Sequence, residues 1–494
     1  VKDLRDQLFK HITKLKLKYF DQNPIGMLVT RSVSDMETIA DIFSQGLLVI
    51  LGDLLKLGGV LCFMFYINWK LTLIVLIPIP ILIFSTNIFK KAIKTSFQEV
   101  RKQISSLNSF VQEHITGMNI VQIFSREDIE SKKFSKINEA HKKAHIKGIM
   151  AYSIFFPVVE TLSATSIALL VLFCVWSISY GGVDYGTVTT EMMSFILYIS
   201  MLFRPIRMLA DRFNTLQMGM VGSSRVFELI DREEFIFQKD NLRPDGFKGQ
   251  IKFDNVHFSY NDTTPVFKGL SFTVNPGETV AIVGPTGAGK TSLINLISRY
   301  YEFQQGKITI DNFDIRNIDI GMLRSKIAVV LQDVFLFNTT ILENITIGDL
   351  KISRKDVIQA AKKVGVHEFI IQLPGGYDFE VKERGGLLSS GQRQIIAFLR
   401  AYVYQPQLLI LDEATSSIDS LSEEYIQNAT EEITKSRTSI IIAHRLSTIQ
   451  NADSILVMDD GVIVEKGNHM ELLRKKGQYY ELYQNQFISK SHIN

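Results

Sequence analysis

The run WKLTLIVLIPIPILIFSTNIF, Trp69 to Phe89, carries a single charge, Lys70, at its edge. At about 1.5 Å per residue it is long enough to cross a hydrocarbon core of roughly 30 Å. Apolar stretches near 46–67, 151–179 and 187–210 have the same character, so four membrane spans are expected. Prolines and glycines inside them are tolerated because neighbouring helices satisfy the freed backbone groups. The link from 90 to 150 carries Lys90, Lys91, Lys94, Arg101, Lys102 and further basic residues as far as Lys147, whereas the links near 67–70 and 180–187 carry only Lys70. The excess of lysine and arginine puts the long link on the cytoplasmic side, with residues 1–45 and everything after 210. Apolar spacing in FQEVRKQISSLNSFVQEHITGMNIVQIF predicts that the membrane helices continue into the cytoplasm, with a short cross-piece near TGMNIVQIFSRE.

At 494 residues the chain exceeds one ordinary core. A formal net charge of only +3 leaves no nucleic-acid footprint, so no nucleic-acid partner is expected. The two cysteines, Cys62 and Cys174, lie in apolar runs without metal-type spacing and read as small buried hydrophobes. The sequence opens on Val1 in mid-pattern, so a fragment or processed form is expected.

The division read from composition is a helical membrane domain over 1–213, a linker over 214–249 marked by Arg243-Pro244-Asp245-Gly246, and an α/β domain over 250–487. In the last part, short β-branched or aliphatic runs (IKFDNVHFSY, ETVAIVG, KIAVVLQ, PQLLILD, TSIIIAH), most with helical stretches between them, predict a largely parallel sheet.

GPTGAGKT follows ETVAIV and opens the helix TSLINLISRY, fitting GxxxxGK[ST] at every position. Gly284, Pro285, Thr286, Gly287, Ala288 and Gly289 would wrap phosphate oxygens in backbone N–H groups, with the helix N-terminus adding its dipole. Lys290 would bind the β- and γ-phosphates, Thr291 would ligate Mg²⁺, and Ser292 follows in the same turn. LLILDE then delivers Asp412 to the metal shell and places Glu413 to orient and deprotonate water. A strand ending in Asp-Glu is weak evidence alone and strong beside such a loop.

LLSSGQRQ, 387–394, decides among the many nucleotide hydrolases that still fit. Together these segments resemble the ATP-binding cassette transporters, of the exporter type with membrane and nucleotide domains fused. LSSGQ is similar to that family's signature, SSIDS with Asp419 to its D-loop, Gln332 to its Q-loop and His444 to its switch histidine. Tyr260 resembles the aromatic that stacks on adenine, while 15–26 and 116–127 resemble the coupling segments that dock on the nucleotide domains. Taken singly, Tyr260 reads as a strand-end aromatic, Gln332 as a loop residue and His444 as a core histidine. Their order and spacing turn each toward function.

The resemblance implies an N-terminally truncated exporter-type transmembrane domain, its two missing spans preceding Val1, followed by an ABC-type P-loop ATPase. It implies a half-transporter in a bacterial inner membrane, paired with a second subunit, same or related, and moving a lipophilic, drug-like, lipid or peptide substrate out of the cell. It implies ATP and Mg²⁺, with Lys290, Gln332, Glu413 and His444 catalytic and Thr291, Gln332 and Asp412 at the metal. Ser389, Ser390, Gly391 and Gln392 would face the ATP of the opposing subunit. Two departures stand out. Ser390 occupies a position usually glycine, as does Lys382 before ERG. The rival readings are a regulatory nucleotide switch and a soluble cassette of the DNA-repair kind, and the apolar spans exclude the second.

Overall fold

The computed structural model describes the chain apart from residues 182–183, 237–239, 245, 262, 413–419, 444 and 486–494, and apart from the side chains of 45–46, 181, 206–215, 217 and 420–421. It forms two compact units, Val1–Thr13 with Pro24–Arg232, and Lys14–Asn23 with Glu233–Asn494.

The first unit is helical. Among the described residues four helical stretches are long and apolar enough to cross a membrane: Ile25–Ile67, Trp69–Thr116, Glu127–Tyr180 and Tyr185–Pro205. The turn between the first two is capped by Asn68, whose Oδ1 accepts from the Lys70 and Leu71 amides at 3.1 and 3.3 Å. Its Nδ2 donates to Glu191 at 2.8 Å, so the same side chain ties the turn to the Tyr185–Ile230 helix. Proline interrupts without breaking: the Glu127–Gly181 helix runs on through Pro157. A buried cluster including Met64, Val75, Leu82, Phe89, Phe155, Val159, Leu170 and Phe203 holds the helices together. Phe89 stacks on Phe155 with centroids 4.0 Å apart, so Phe155 is packing. Many apolar side chains stay outward, among them Leu55, Phe84, Leu172 and Leu197, as lipid-facing helices require.

Two of these helices extend well past a bilayer's thickness. Ile79–Thr116 has 38 residues and Glu127–Gly181 has 55, roughly 80 Å for the longer. Gly117 ends the first, a short Met118–Ile123 helix crosses, and the second begins at Glu127. His114 clasps the pair, with Nε2 2.9 Å from Glu130 Oε2 and Nδ1 2.8 Å from the Phe110 carbonyl.

The second unit carries two sheets. Strands β1 (Ile251–Ser259), β2 (Pro265–Val274), β4 (Gln305–Ile310) and β5 (Phe313–Asp314) form an antiparallel sheet in the order β2-β1-β4-β5. Strands β3 (Thr279–Val283), β6 (Ile327–Val330), β7 (Leu408–Asp412), β8 (Thr438–Ile442), β9 (Ser454–Asp459) and β10 (Val462–Gly467) form the other, in the order β10-β9-β3-β8-β7-β6. It is parallel except for β10. Its strands are apolar on both faces because both are covered. Val280, Ile282, Leu408, Ile410 and Ile440 pack with the Lys290–Ile297 helix and the smaller sheet. Ala281, Leu409, Leu411 and Ile441 pack on the other side with the Ser390–Val403 helix.

Candidate nucleotide site

The parallel strands set up one edge. β3 runs in register with β8 and β9, and β7 with β6 and β8, so the loops after β3, β6, β7 and β8 all leave at the carboxyl ends of the strands. That is where open α/β sheets bind ligands.

The loop after β3 can only be built with glycine at two points. Gly284 has φ 156°, and a Cβ there would lie 2.0 Å from the Met458 carbonyl oxygen. Gly289 has φ 100°, and its Cβ would meet the Phe267 ring at 2.8 Å. Gly289 is also the N-cap of Lys290–Ile297, and no side chain caps that helix. Its first amides are thereby left to an anion.

Lys290 folds back over the loop, donating to the carbonyls of Gly284 and Pro285, both at 2.8 Å. The side chain is buried, and burial pushes its ammonium below the usual lysine range while Asp412 pulls it back up. Asp412, at the end of β7, is buried too. Burial holds its carboxyl above the usual range, with Lys290 opposing and Asp333 reinforcing the shift. Two aspartates thus share one neighbourhood with one ammonium, the charge balance of a site built to accept a cation and a polyphosphate together.

The two hydroxyls after Lys290 divide. Thr291 is exposed and makes no hydrogen bond to any described residue. Ser292 is buried, and its Oγ accepts from the Tyr260 hydroxyl at 3.0 Å. Tyr260 also accepts from Asn295 Nδ2 at 2.8 Å, which locks its ring beside the helix. Tyr301 meets Tyr260 edge-on at 4.8 Å and 88°, and its hydroxyl donates to Asp21. Asp21 lies in Lys14–Asn23, where Lys16 N donates to the Glu234 carbonyl at 3.0 Å, Leu15 bridges to Phe235 and Tyr19 is buried. One continuous set of contacts thus runs from this segment to the helix that opens at the phosphate loop.

Gln332 is exposed just beyond β6, beside the end of β7. Glu413, Asp419 and His444 lie outside the described residues.

LSSGQ opens the Ser390–Val403 helix as a capping box. The Ser389 hydroxyl accepts from the Gln392 amide at 3.2 Å, and Gln392 Oε1 accepts from the Ser389 amide at 2.9 Å. Ser389 and Ser390 are exposed, Gly391 buried. Ser390 has ordinary helical backbone, so serine there needs no conformation reserved for glycine. Lys382 differs, at φ 60° and ψ −173°, a region essentially confined to glycine. The sheet separates this helix from Lys290–Ile297, since each packs on its own face.

The sequence names the loop, Asp412 and LSSGQ as candidates; it does not point to Asp333, Asn295, Tyr301 or the Asp21 contact. Only adjacency to Gln332 marks Asp333, and nothing local marks the other three.

A glycine-built loop, an uncapped helix start, a buried lysine and a buried aspartate at one sheet edge fit a nucleotide's phosphates. Comparison with known proteins agrees. The chain matches the family model described as "ABC transporter transmembrane region" over residues 1–206 and the one described as "ABC transporter" over 267–416. It is 39% identical over 486 residues to YknV, an ABC transporter ATP-binding protein of Bacillus subtilis (strain 168), covering 98% of this chain and 80% of that one. It is 37% identical over 488 residues to an ATP-dependent lipid A-core flippase of Syntrophus aciditrophicus (strain SB), covering 99% and 80%. A solved bacterial Atm1-family ABC exporter with ATP bound superposes with a TM-score of 0.81 at 29% identity, over 98% of this chain and 85% of that chain. The chain belongs to the ABC transporters, as a multi-pass membrane protein of the exporter type whose fused cytoplasmic domain binds nucleotide and couples ATP hydrolysis to transport.

Proposed function

We propose that the chain is one half of a dimeric exporter that moves a lipophilic, drug- or lipid-like compound outward across the bacterial inner membrane, with residues 1–213 as its membrane part, 214–249 as linker and 250–487 as its nucleotide part. The observation that carries the reading is the phosphate loop. Lys290 is buried against Asp412, and a helix start that no side chain caps lies beside an exposed Thr291 hydroxyl.

In this reading the amides of Gly284 to Gly289 and the ammonium of Lys290 bind the phosphates, and Tyr260 presents its ring to adenine. Thr291, Asp412 and Gln332 would hold Mg²⁺, which would supply positive charge to offset that of the phosphates. Glu413 orients and deprotonates water, and His444 with Lys290 stabilises the transferring phosphoryl group. Ser389, Ser390, Gly391 and Gln392 serve the ATP of the opposing subunit. This is supported by the position of their helix on the sheet face away from the chain's own phosphate loop. The cross-piece supports a dimer as well, because Ile120, Ile123 and Phe124 stand exposed outside the expected membrane depth, where apolar patches mark docking surfaces.

The test is Mg²⁺-dependent ATP hydrolysis by the full-length chain, expressed alone in nanodiscs, against Glu413→Gln. Activity that falls about a thousandfold on substitution is the expected result. Undiminished activity would overturn the role given to Glu413, and none in either form would overturn a self-sufficient pair of identical chains.

A further inference from the structure

The first unit contains a cavity of about 710 Å³ between the Ile79–Thr116 helix on one side and the Ser34–Asp41 and Tyr185–Ile230 helices on the other. We infer that it binds an anionic amphiphile, a molecule with a phosphate or carboxylate head bearing a hydrogen-bond donor and an apolar tail. The inference rests on the export reading and names the cargo class.

Position comes first. Lys90 directly follows the apolar run that ends at Phe89, and the lysine and arginine bias puts that end of the helix in the cytoplasm. The cavity therefore starts at the inner membrane surface and extends inward for about three helical turns, to Arg101. Lys90, Lys94, Phe97 and Arg101 follow at helical spacing, so one stripe carries cations and an aromatic together.

Charge comes next. Among the described residues, Lys90, Lys94, Arg101 and Arg225 line the cavity against one carboxylate, Asp35. Neither Lys94 nor Arg101 has a carboxylate partner among the described residues. A cleft lined by one sign focuses its field and draws in the opposite charge, which disfavours a cationic drug. Thr38 and Gln98 add neutral polar groups, and Ile93, Phe97, Met218, Met220 and Val221 give the lining its apolar part. A free anion leaves most of this volume unfilled, whereas drug-sized ligands occupy cavities of roughly 300–1,000 Å³.

The acid supplies the specific element. Asp35 is 8% exposed, its Oδ1 lies 3.9 Å from an Arg225 nitrogen, and its buried Oδ2 has no partner among the described residues. Buried carboxylate oxygens are rarely left unsatisfied, so a donor on the ligand head, a hydroxyl or an ammonium, completes this one. Two glycines hold that wall. At Gly219 a Cβ would lie 1.9 Å from Ile42 Cγ1, and at Gly222 it would lie 3.4 Å from the Asp35 carbonyl. The close helix approach sets Asp35 and Arg225 together.

The test uses the full-length transporter in phosphatidylcholine nanodiscs and measures equilibrium binding of fluorescent phosphatidylglycerol, phosphatidic acid, phosphatidylcholine and a cationic lipid analogue. Phosphatidylglycerol should bind at least about tenfold more tightly than phosphatidylcholine or the cation. Lys94→Gln with Arg101→Gln should abolish that preference, and Lys94→Arg should keep it, which separates charge from folding. Asp35→Asn should weaken phosphatidylglycerol several-fold and leave phosphatidic acid, whose head lacks the extra hydroxyls, unchanged. Equal binding of all probes, or equal losses for all in the double variant, would overturn the inference. Displacement of the lipid by inorganic phosphate at matching concentrations would reduce the site to a simple anion site and overturn the amphiphile. Mg²⁺-ATP hydrolysis is followed in the same discs: hydrolysis without charge preference overturns only this site, while absence of hydrolysis overturns the self-sufficient pair of identical chains beneath it.

Discussion

At the scale of single residues the nucleotide unit holds two kinds of cost, one tied to function and one not. Asp412 is buried beside Lys290, and burial holds its carboxyl above the ordinary value of 3.8. With a raised folded-state value, the stability due to this group is fully present below pH 3.8 and is lost as pH rises through the folded value. Asp412→Asn should flatten that part of the pH dependence of unfolding in the metal-free protein, and lower hydrolysis at least about a hundredfold. Denaturant titrations across pH, with rates at saturating Mg²⁺, check both. Lys382 is the other kind. Its backbone is one that glycine adopts freely and lysine does not, and among the described residues its ammonium makes only an exposed 3.1 Å pair with Glu380. Lys382→Gly is expected to raise the unfolding free energy of the nucleotide unit by about 1–2 kcal/mol, with Lys382→Ala giving no such gain. A loss of stability in the glycine variant would contradict this account of the position.

At the scale of elements, two tethers join segments distant in sequence. The His114 ring has an acceptor at each nitrogen, the Phe110 carbonyl and Glu130, so only the doubly protonated ring satisfies both. It holds the ends of Ile79–Thr116 and Glu127–Gly181 together beside the Met118–Ile123 cross-piece. His114→Ala should speed amide exchange in 117–126 several-fold while leaving the nucleotide unit unchanged, as read by hydrogen–deuterium exchange. Tyr301 is the second tether, between Asp21 and the Tyr260 ring. Tyr301→Phe keeps the ring contact and removes the hydrogen bond, so the expected loss is about 1 kcal/mol of stability, with exchange rising in 14–23 and ATP affinity retained. Neither tether is legible in the sequence. The spans, the phosphate loop and the alternating strands are local patterns, carried by side-chain type at fixed spacing. VHFSY reads equally well as a strand of the main sheet, yet it pairs with β2 and β4 in the smaller one, because pairing partners are not written into a strand's own residues. Lys382 shows the same limit from another side, since its departure from glycine is visible in the letters but the positive φ that makes it costly is not.

At the scale of the whole molecule, the helix that opens at the phosphate loop and the helix that opens at LSSGQ sit on opposite faces of one sheet. Lys290–Ile297 packs with Val280, Ile282 and Leu408, and Ser390–Val403 with Leu409, Leu411 and Ile441. On the proposed reading, a signature separated in this way from its own phosphate loop serves a site shared between two chains. The direct measurement is ATP hydrolysis by dimers reconstituted from an equal mixture of Lys290→Ala and Ser389→Arg chains, each inactive alone. A mixed dimer pairs the intact loop of one chain with the intact signature of the other, so random pairing should restore roughly a quarter of wild-type activity. Activity that stays at the level of the separate variants would contradict the shared site.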